Sequence, residues 1–282
     1  MSSIKELLGQ TRLEKIDAKV LLAHLVQKYL QWPKSALISK DTDSLPENLL
    51  KEWQNLESRR LAGEPVAYIL EKKEFFNIQL KVGPDVLIPR SETELLIELV
   101  IEYIEKNFNK SPRILDLGTG SGAIALALAK NIPQAQLTAV DISPKALSIA
   151  QHNAHLLKLE QQLHFYQGSW FDALPQEIET PLFDVIVSNP PYIKAQDPHL
   201  NTGDLRFEPP DALTDHLDGL SAYRTIFNQA KSFLNDNGML IVEHGYDQSE
   251  KVSKLLQDLS YSNIQIHYDL AGIARAVSAK LG

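Results

Sequence analysis

Arg113-Ile-Leu-Asp-Leu-Gly-Thr-Gly-Ser-Gly-Ala-Ile-Ala125, RILDLGTGSGAIA, is the stretch whose reading decides the fold. Arg113–Leu117 is a short, mostly apolar run that reads as a buried strand. Gly118, Gly120 and Gly122 then interrupt it, and an alanine-rich apolar run follows, as a helix would. Glycines at such a strand-to-helix turn permit positive φ and let a ligand approach the backbone. The helix N-terminus behind them offers unpaired N–H groups. Ligands of open α/β sheets bind beyond the carboxyl ends of the strands, so this loop is a candidate binding site.

Working outward, the chain after Arg113 alternates strand and helix. Candidate strands are Arg113–Leu117, Leu137–Val140, Leu163–Gln167, Phe183–Ser188, Met239–Glu243, Ile264–Tyr268 and Ala274–Ala279. Helical stretches separate most of them, which predicts a mainly parallel sheet covered on both faces. The last two strands have no helix between them, so an antiparallel pair at one edge is expected. Before Arg113, a helix is predicted from Glu92 to Phe108, and residues 73–90 change period. Phe75–Val82 alternates loosely, Gly83-Pro84 turns, and Val86–Ile88 follows, which predicts a β-hairpin. Residues 1–72 carry few strand signals. Ile16, Val20, Leu21 and Leu25 recur at helical spacing, as do Leu49, Leu50, Trp53 and Leu56, with Pro33 and Pro46 as punctuation and Ser44 as a possible cap. A small all-α bundle is expected there. The expected organisation is an α-helical domain over 1–72, a hairpin linker over 73–90 and an α/β domain over 91–282.

Bulk properties narrow the function. The 282 residues carry 28 basic and 36 acidic side chains, a net charge of −8, which argues against dependence on nucleic-acid phosphates. There is no cysteine, so disulfides, thiolate metal sites and cysteine nucleophiles are excluded. The first residues lack a signal-peptide core, and no apolar run approaches the roughly 20 residues that span a bilayer. A cytoplasmic monomer with no membrane contact and no direct nucleic-acid contact is the expectation. His152 and His155 lie one helical turn apart without a third ligand, and Asp211, Asp215, His216 and Asp218 fall in a turn-rich loop. All read as solvated or loop-bonding groups, and no metal site is expected.

The glycine loop alone is ambiguous. Gly118, Gly120 and Ala123 also fit a dinucleotide pattern, with Asp141 at a plausible ribose-binding distance. Asp141 could instead cap the helix after Pro144, although Ser143 could fill that role. Trp170, at the end of the third strand of the sheet, could cover an adenine ring or simply pack. The loop thus implies a nucleoside-containing cofactor without naming it.

Val187-Ser-Asn-Pro-Pro-Tyr-Ile193 adds the chemistry. Proline ends a strand because it cannot donate to the ladder. The Asn189 side-chain carbonyl and the Pro190 backbone carbonyl are two acceptors that could hold both hydrogens of a planar NH2 group, while Tyr192 covers one of its faces. An amide or aryl amine nitrogen is a poor nucleophile, and acceptors on its hydrogens favour the form in which positive charge grows there. A methyl sulfonium donor suits this arrangement because it carries its own leaving group.

Together, D-x-G-x-G-x-G and N-P-P-Y resemble the S-adenosylmethionine-dependent amino-methyltransferases. Five further stretches resemble the bacterial release factor glutamine methyltransferases (the PrmC/HemK type) over nearly the whole chain. They are Ile16–Leu22, Gly63–Ile69, Val86–Glu94, Leu205–Pro209 and Asp218–Leu220. The resemblance implies a Rossmann-like seven-stranded methyltransferase domain preceded by a small all-α bundle that binds the partner. It implies methylation, with S-adenosylmethionine as cofactor, of the N5 side-chain nitrogen of the Gly-Gly-Gln glutamine in class 1 peptide chain release factors. By position, Gly118, Thr119, Gly120, Ser121, Gly122, Asp141, Trp170 and Asn189 would contact the cofactor. Asn189, Pro190, Pro191 and Tyr192 would hold the glutamine amide, with Asn189, Pro190 and Tyr192 as the catalytic set. Asp116 would support the loop or the methionine amino group at one remove. The family usually has proline and then an acid after Ile88-Pro-Arg90, whereas Ser91 and Glu92 stand here, so Arg90 and Glu94 are left between substrate contact and, for Arg90, a surface ion pair. A nucleic-acid amino-methyltransferase is the alternative, because the NPPY chemistry is nearly the same.

Overall fold

The computed structural model describes residues 2–107, 111–175 and 182–281. Two compact units divide the chain, Met1–Lys72 with Thr202–Phe207, and Lys73–Asn201 with Glu208–Gly282.

The first unit is helical. Helices Lys15–Leu30 and Glu47–Leu61 bury Leu21, Leu22, Leu25 and Val26 against Leu49, Trp53 and Leu56. Each fully buried aliphatic side chain contributes about 1.5–3 kcal/mol, so this stripe holds the unit together. It corrects the sequence reading in two places. Ile16 is exposed and Val20 lies at the boundary, because the buried stripe runs through Ala18 and Leu21. Ser44 does not cap the helix starting at Glu47: Pro46 occupies the cap position, and Ser44 bridges to Ser3. Thr202–Phe207, expected with the α/β domain, groups with this unit. Arg60 accounts for part of that, pairing with Asp17 at 2.7 Å and Asp204 at 2.9 Å.

Strands β1 (Lys72–Phe75) and β2 (Ile78–Lys81) pair as a two-stranded sheet. The hairpin turn falls at Phe76-Asn77, both at positive φ (40° and 61°), instead of at Gly83-Pro84. Two consecutive positive-φ residues match the right-handed twist of a tight hairpin. Val86–Ile88, expected as the return strand, forms none. A 3-10 turn, Ser91–Thr93, leads into helix Glu94–Asn107, and Phe108 lies outside the described residues.

The seven-stranded sheet comprises β3 (Arg113–Leu117), β4 (Gln136–Asp141), β5 (Leu163–Gln167), β6 (Phe183–Ser188), β7 (Leu234–Glu243), β8 (Tyr261–Tyr268) and β9 (Ala274–Leu281). Its order is β5-β4-β3-β6-β7-β9-β8. The first five pair in parallel, while β9 runs antiparallel to β7 and β8. The sheet follows from period-two patterning in which both sets of side chains are apolar. Ile114, Val185, Val187 and Ile241 face helices Glu94–Asn107 and Ala123–Asn131. Leu115, Ile186, Leu240 and Val242 face helices Ser221–Ala230 and Ser249–Asp258. At the β8 edge, the register with β9 shifts between Ser262 and Gln265 and again between His267 and Tyr268. Strand order reverses at β3, whose neighbours are β4 and β6, and Gly118 and Asn189 follow β3 and β6 there. Among the described residues, no helix is long and apolar enough to cross a membrane.

Candidate active site

After β3 the backbone turns left-handed at Gly118 (φ 73°), Gly120 (57°) and Gly122 (83°). The three glycines serve different ends. A Cβ on Gly122 would stand 2.9 Å from Leu126 Cδ1 and 3.2 Å from Ala150 Cβ, so this position is set by helix packing. A Cβ on Gly120 would meet nothing within 4 Å, so its face stays open. Asp141, at the end of β4, accepts from Gly120 N at 2.8 Å and Ser143 N at 2.9 Å, which locks the loop. Burial pushes its carboxyl upward against those bonds. Ser143, not Asp141, caps helix Pro144–Leu157, accepting from Ala146 N at 3.2 Å. Asp116 is fully buried; its Oδ2 accepts from Thr119 Oγ1 at 2.6 Å and Ala125 N at 3.2 Å, and its Oδ1 has no partner. Burial raises its pKa to about 7.

A cavity of about 480 Å³ opens beside this loop. Gly118, Gly120, Asp141, Trp170, Asn189 and Pro191 line it. The size lies within the ~300–1,000 Å³ of small-molecule pockets. An open glycine face, an acid at a strand end and an indole on one wall form a donor set that fits a nucleoside-bearing ligand.

The loop after β6 is held from several sides. Asn189 Nδ2 donates to Thr93 Oγ1 at 3.1 Å, and Thr93 Oγ1 donates to Glu243 Oε2 at 2.6 Å. Tyr192 OH donates to Glu243 Oε1 at 3.2 Å. The Tyr192 carbonyl accepts from Gln248 Nε2 at 3.0 Å. Gly219 (φ 79°) passes so close that a Cβ there would lie 2.5 Å from that carbonyl, which accounts for the glycine of Asp218-Gly-Leu220. Glu243 is buried, and desolvation raises its pKa to about 7. Burial beside that carboxylate drives the Tyr192 phenol upward as well, so it stays a donor.

A PrmC N-terminal domain model matches residues 2–70, and a methyltransferase domain model matches residues 108–275. A release factor glutamine methyltransferase of Bordetella pertussis is 42% identical, covering 98% of both chains. One of Vibrio cholerae is 46% identical over 91% of this chain and 86% of its own. This chain belongs to the release factor glutamine methyltransferase family. The hMettl16 catalytic domain, solved in complex with MAT2A 3′UTR hairpin 1, covers 92% of this chain and 91% of its own with a TM-score of 0.60. At 14% identity that likeness shows the fold alone.

Family membership makes it informative where each expected residue lies. Thr119, Ser121 and Gly122 are buried in the loop, and Pro190 is buried as well; none of the four is among the residues lining the cavity. Tyr192 is half-buried beside Glu243. Glu94 accepts from Phe76 N at 2.9 Å, fastening the hairpin turn. Arg90 pairs with the fully buried Glu208, which also accepts from Ile88 N at 3.0 Å. Sequence reasoning missed Val86 and Leu87 on the cavity wall, because their apolar run resembles a strand. It also missed Asp211, which lines the cavity and bonds His216 at 2.7 Å. Thr93 and Glu243 carried no local signal, as they lie 150 residues apart in sequence. His155 pairs with Glu160, and among the described residues no group of three metal-ligating side chains is found.

Proposed function

We propose that this chain transfers a methyl group from S-adenosylmethionine to the N5 side-chain nitrogen of the Gly-Gly-Gln glutamine in class 1 peptide chain release factors. The observation that carries the reading is Asn189, on the cavity wall with its NH2 end engaged by Thr93 and its carbonyl oxygen left to accept. S-adenosylmethionine, when bound, supplies a methyl group on a sulfonium that departs as a neutral thioether, so the transfer requires no enzymic nucleophile and no metal.

The chain's own residues bind, aim and polarise. Gly118, Gly120, Asp141 and Trp170 would hold the nucleoside end of the cofactor. The carbonyls of Asn189 and Pro190 would each accept one hydrogen of the glutamine NH2, fixing the nitrogen in place. They favour the charge that develops on nitrogen, as an oxyanion hole does with the opposite sign. Tyr192 would cover one face of the amide. The helical unit, Met1–Lys72, is proposed to recognise the release factor, and the chain is proposed to act as a monomer.

Incubation with a purified class 1 release factor and S-adenosylmethionine, followed by mass mapping, tests the assignment. One methyl on the Gly-Gly-Gln glutamine is the expected result. An unmodified factor alongside methylated DNA or RNA would replace this reading with the nucleic-acid alternative.

A further inference from the structure

We propose that Thr93 and Glu243 are positioning residues that fix the rotation of the Asn189 carboxamide so that its oxygen, and not its NH2, meets the substrate amide. The inference rests on the proposed role of Asn189 and supplies what that role requires. The two ends of an asparagine amide are nearly equal in size, and hydrogen bonding alone distinguishes them. A flipped Asn189 would set an NH2 against the substrate NH2, donor against donor.

The direction of each bond follows from proton counting. An ionised carboxylate only accepts. Glu243 Oε2 lies 2.6 Å from Thr93 Oγ1 and Oε1 lies 3.2 Å from Tyr192 OH, so when Glu243 is ionised both hydroxyl protons point at it. The single proton of Thr93 is thereby committed. Its lone pairs face Asn189 at 3.1 Å, and only the NH2 end of the amide can answer them. The carbonyl end is left for the cavity that Asn189 lines. Thr93 and Glu243 are both 3% exposed, so water competes poorly for these bonds. The groups around Glu243 are consistent with this: the Tyr223 hydroxyl donates to the Glu243 backbone carbonyl at 2.8 Å, while Glu92 and Arg275 act on the carboxylate with opposite sign. A protonated Glu243 would reverse the chain of donors by offering its own proton to Thr93, releasing Thr93 to donate to the Asn189 oxygen. The ionised form is therefore the working one.

The test uses the full chain with Thr93→Val, Thr93→Ser and Glu243→Gln, each checked for folding by thermal melting. Three quantities are measured: kcat on release factor, cofactor Kd by calorimetry, and the Asn189 side-chain NH2 resonances, assigned with Asn189→Asp. Valine matches the shape of threonine without the hydroxyl, so Thr93→Val should melt near the parent yet lose kcat by about 10²-fold, the scale of a removed oxyanion-hole group. Thr93→Ser should return kcat to within about threefold of the parent. Cofactor Kd should move less than about threefold in both. In the parent, the Asn189 NH2 signals should shift as Glu243 titrates, its carboxyl pushed up by burial to about 7, and in Thr93→Val and Glu243→Gln that shift should vanish. Full kcat in Thr93→Val, a serine variant as impaired as valine, or Asn189 signals indifferent to pH would each overturn the proposal. If the parent methylates no release factor, the function reading fails and the Asn189 resonances still decide the positioning claim.

Discussion

Asn153→Ala removes three hydrogen bonds that tie the hairpin to the glycine loop. The Asn153 oxygen accepts from Lys81 N at 2.7 Å, and its NH2 donates to Lys81 O at 3.0 Å and Ser121 O at 2.9 Å. The side chain is fully buried on helix Pro144–Leu157, so no solvent replaces those bonds. At about 1 kcal/mol net per bond the loss is about 3 kcal/mol, and the unfilled volume adds to it. For a chain of this size that corresponds to a fall in Tm of roughly 6–12 °C. Urea unfolding followed by circular dichroism measures the stability change, and calorimetry with S-adenosylmethionine measures the effect on the loop, whose Ser121 carbonyl loses its anchor. The variant should bind the cofactor more weakly as well as unfold earlier. A stability loss under about 1 kcal/mol would refute the reasoning, because it would mean that Lys81 and Ser121 find other partners.

The two loop glycines should separate stability from binding. Gly122→Ala should cost about 1–3 kcal/mol from its positive φ and its contact with Leu126, measured by urea unfolding. Gly120→Ala should cost about 1 kcal/mol but abolish measurable cofactor binding, since its methyl would stand in the open face. Asp116→Asn should gain stability relative to the parent as pH rises from 4 to 7. The folded pKa of Asp116 is raised from 3.8 to about 7, so its contribution to the parent is full below pH 4 and is lost through pH 7, which unfolding of both proteins across that window would show. Glu208→Ala should cost ~2–3 kcal/mol by stranding Arg90 and Ile88 N, and should weaken cofactor binding through Val86 and Leu87; a variant with unchanged Tm and affinity would contradict the role of that pair.

The parallel sheet was legible because its strands are apolar on both faces and its helices intervene, so Arg113–Leu117, Leu163–Gln167 and Phe183–Ser188 match the structure residue for residue. The start of β7 was not, because Leu234-Asn-Asp-Asn-Gly238 has turn composition. There the register with β6 jumps, from Phe183 opposite Leu234 to Val185 opposite Met239. The hairpin turn was hidden for the opposite reason: phenylalanine at positive φ is unfavourable, so Phe76-Asn77 gives no turn signal, while Gly83-Pro84 gives a strong one without closing a hairpin. In the site, the residues of the glycine and NPPY loops stood out because glycine reaches positive φ, where other residues are strained, and proline fixes φ and ends a strand. Thr93 and Glu243, which bond Asn189 and Tyr192, and Glu208, which bonds Ile88 and Arg90, are ordinary residues whose contacts span 51 to 150 positions.

The two register shifts along β8 alter the exposed rim of the sheet. Tyr261–Tyr268 forms one rim of the sheet and holds no lysine, arginine, aspartate or glutamate, the side chains that usually keep such a rim from recruiting another molecule. Asn263, at φ 50°, inserts one of the irregularities that bend the strand out of the flat register a newcomer would need. At that rim the irregular path of the main chain, and not charge, is the feature that opposes pairing with another strand.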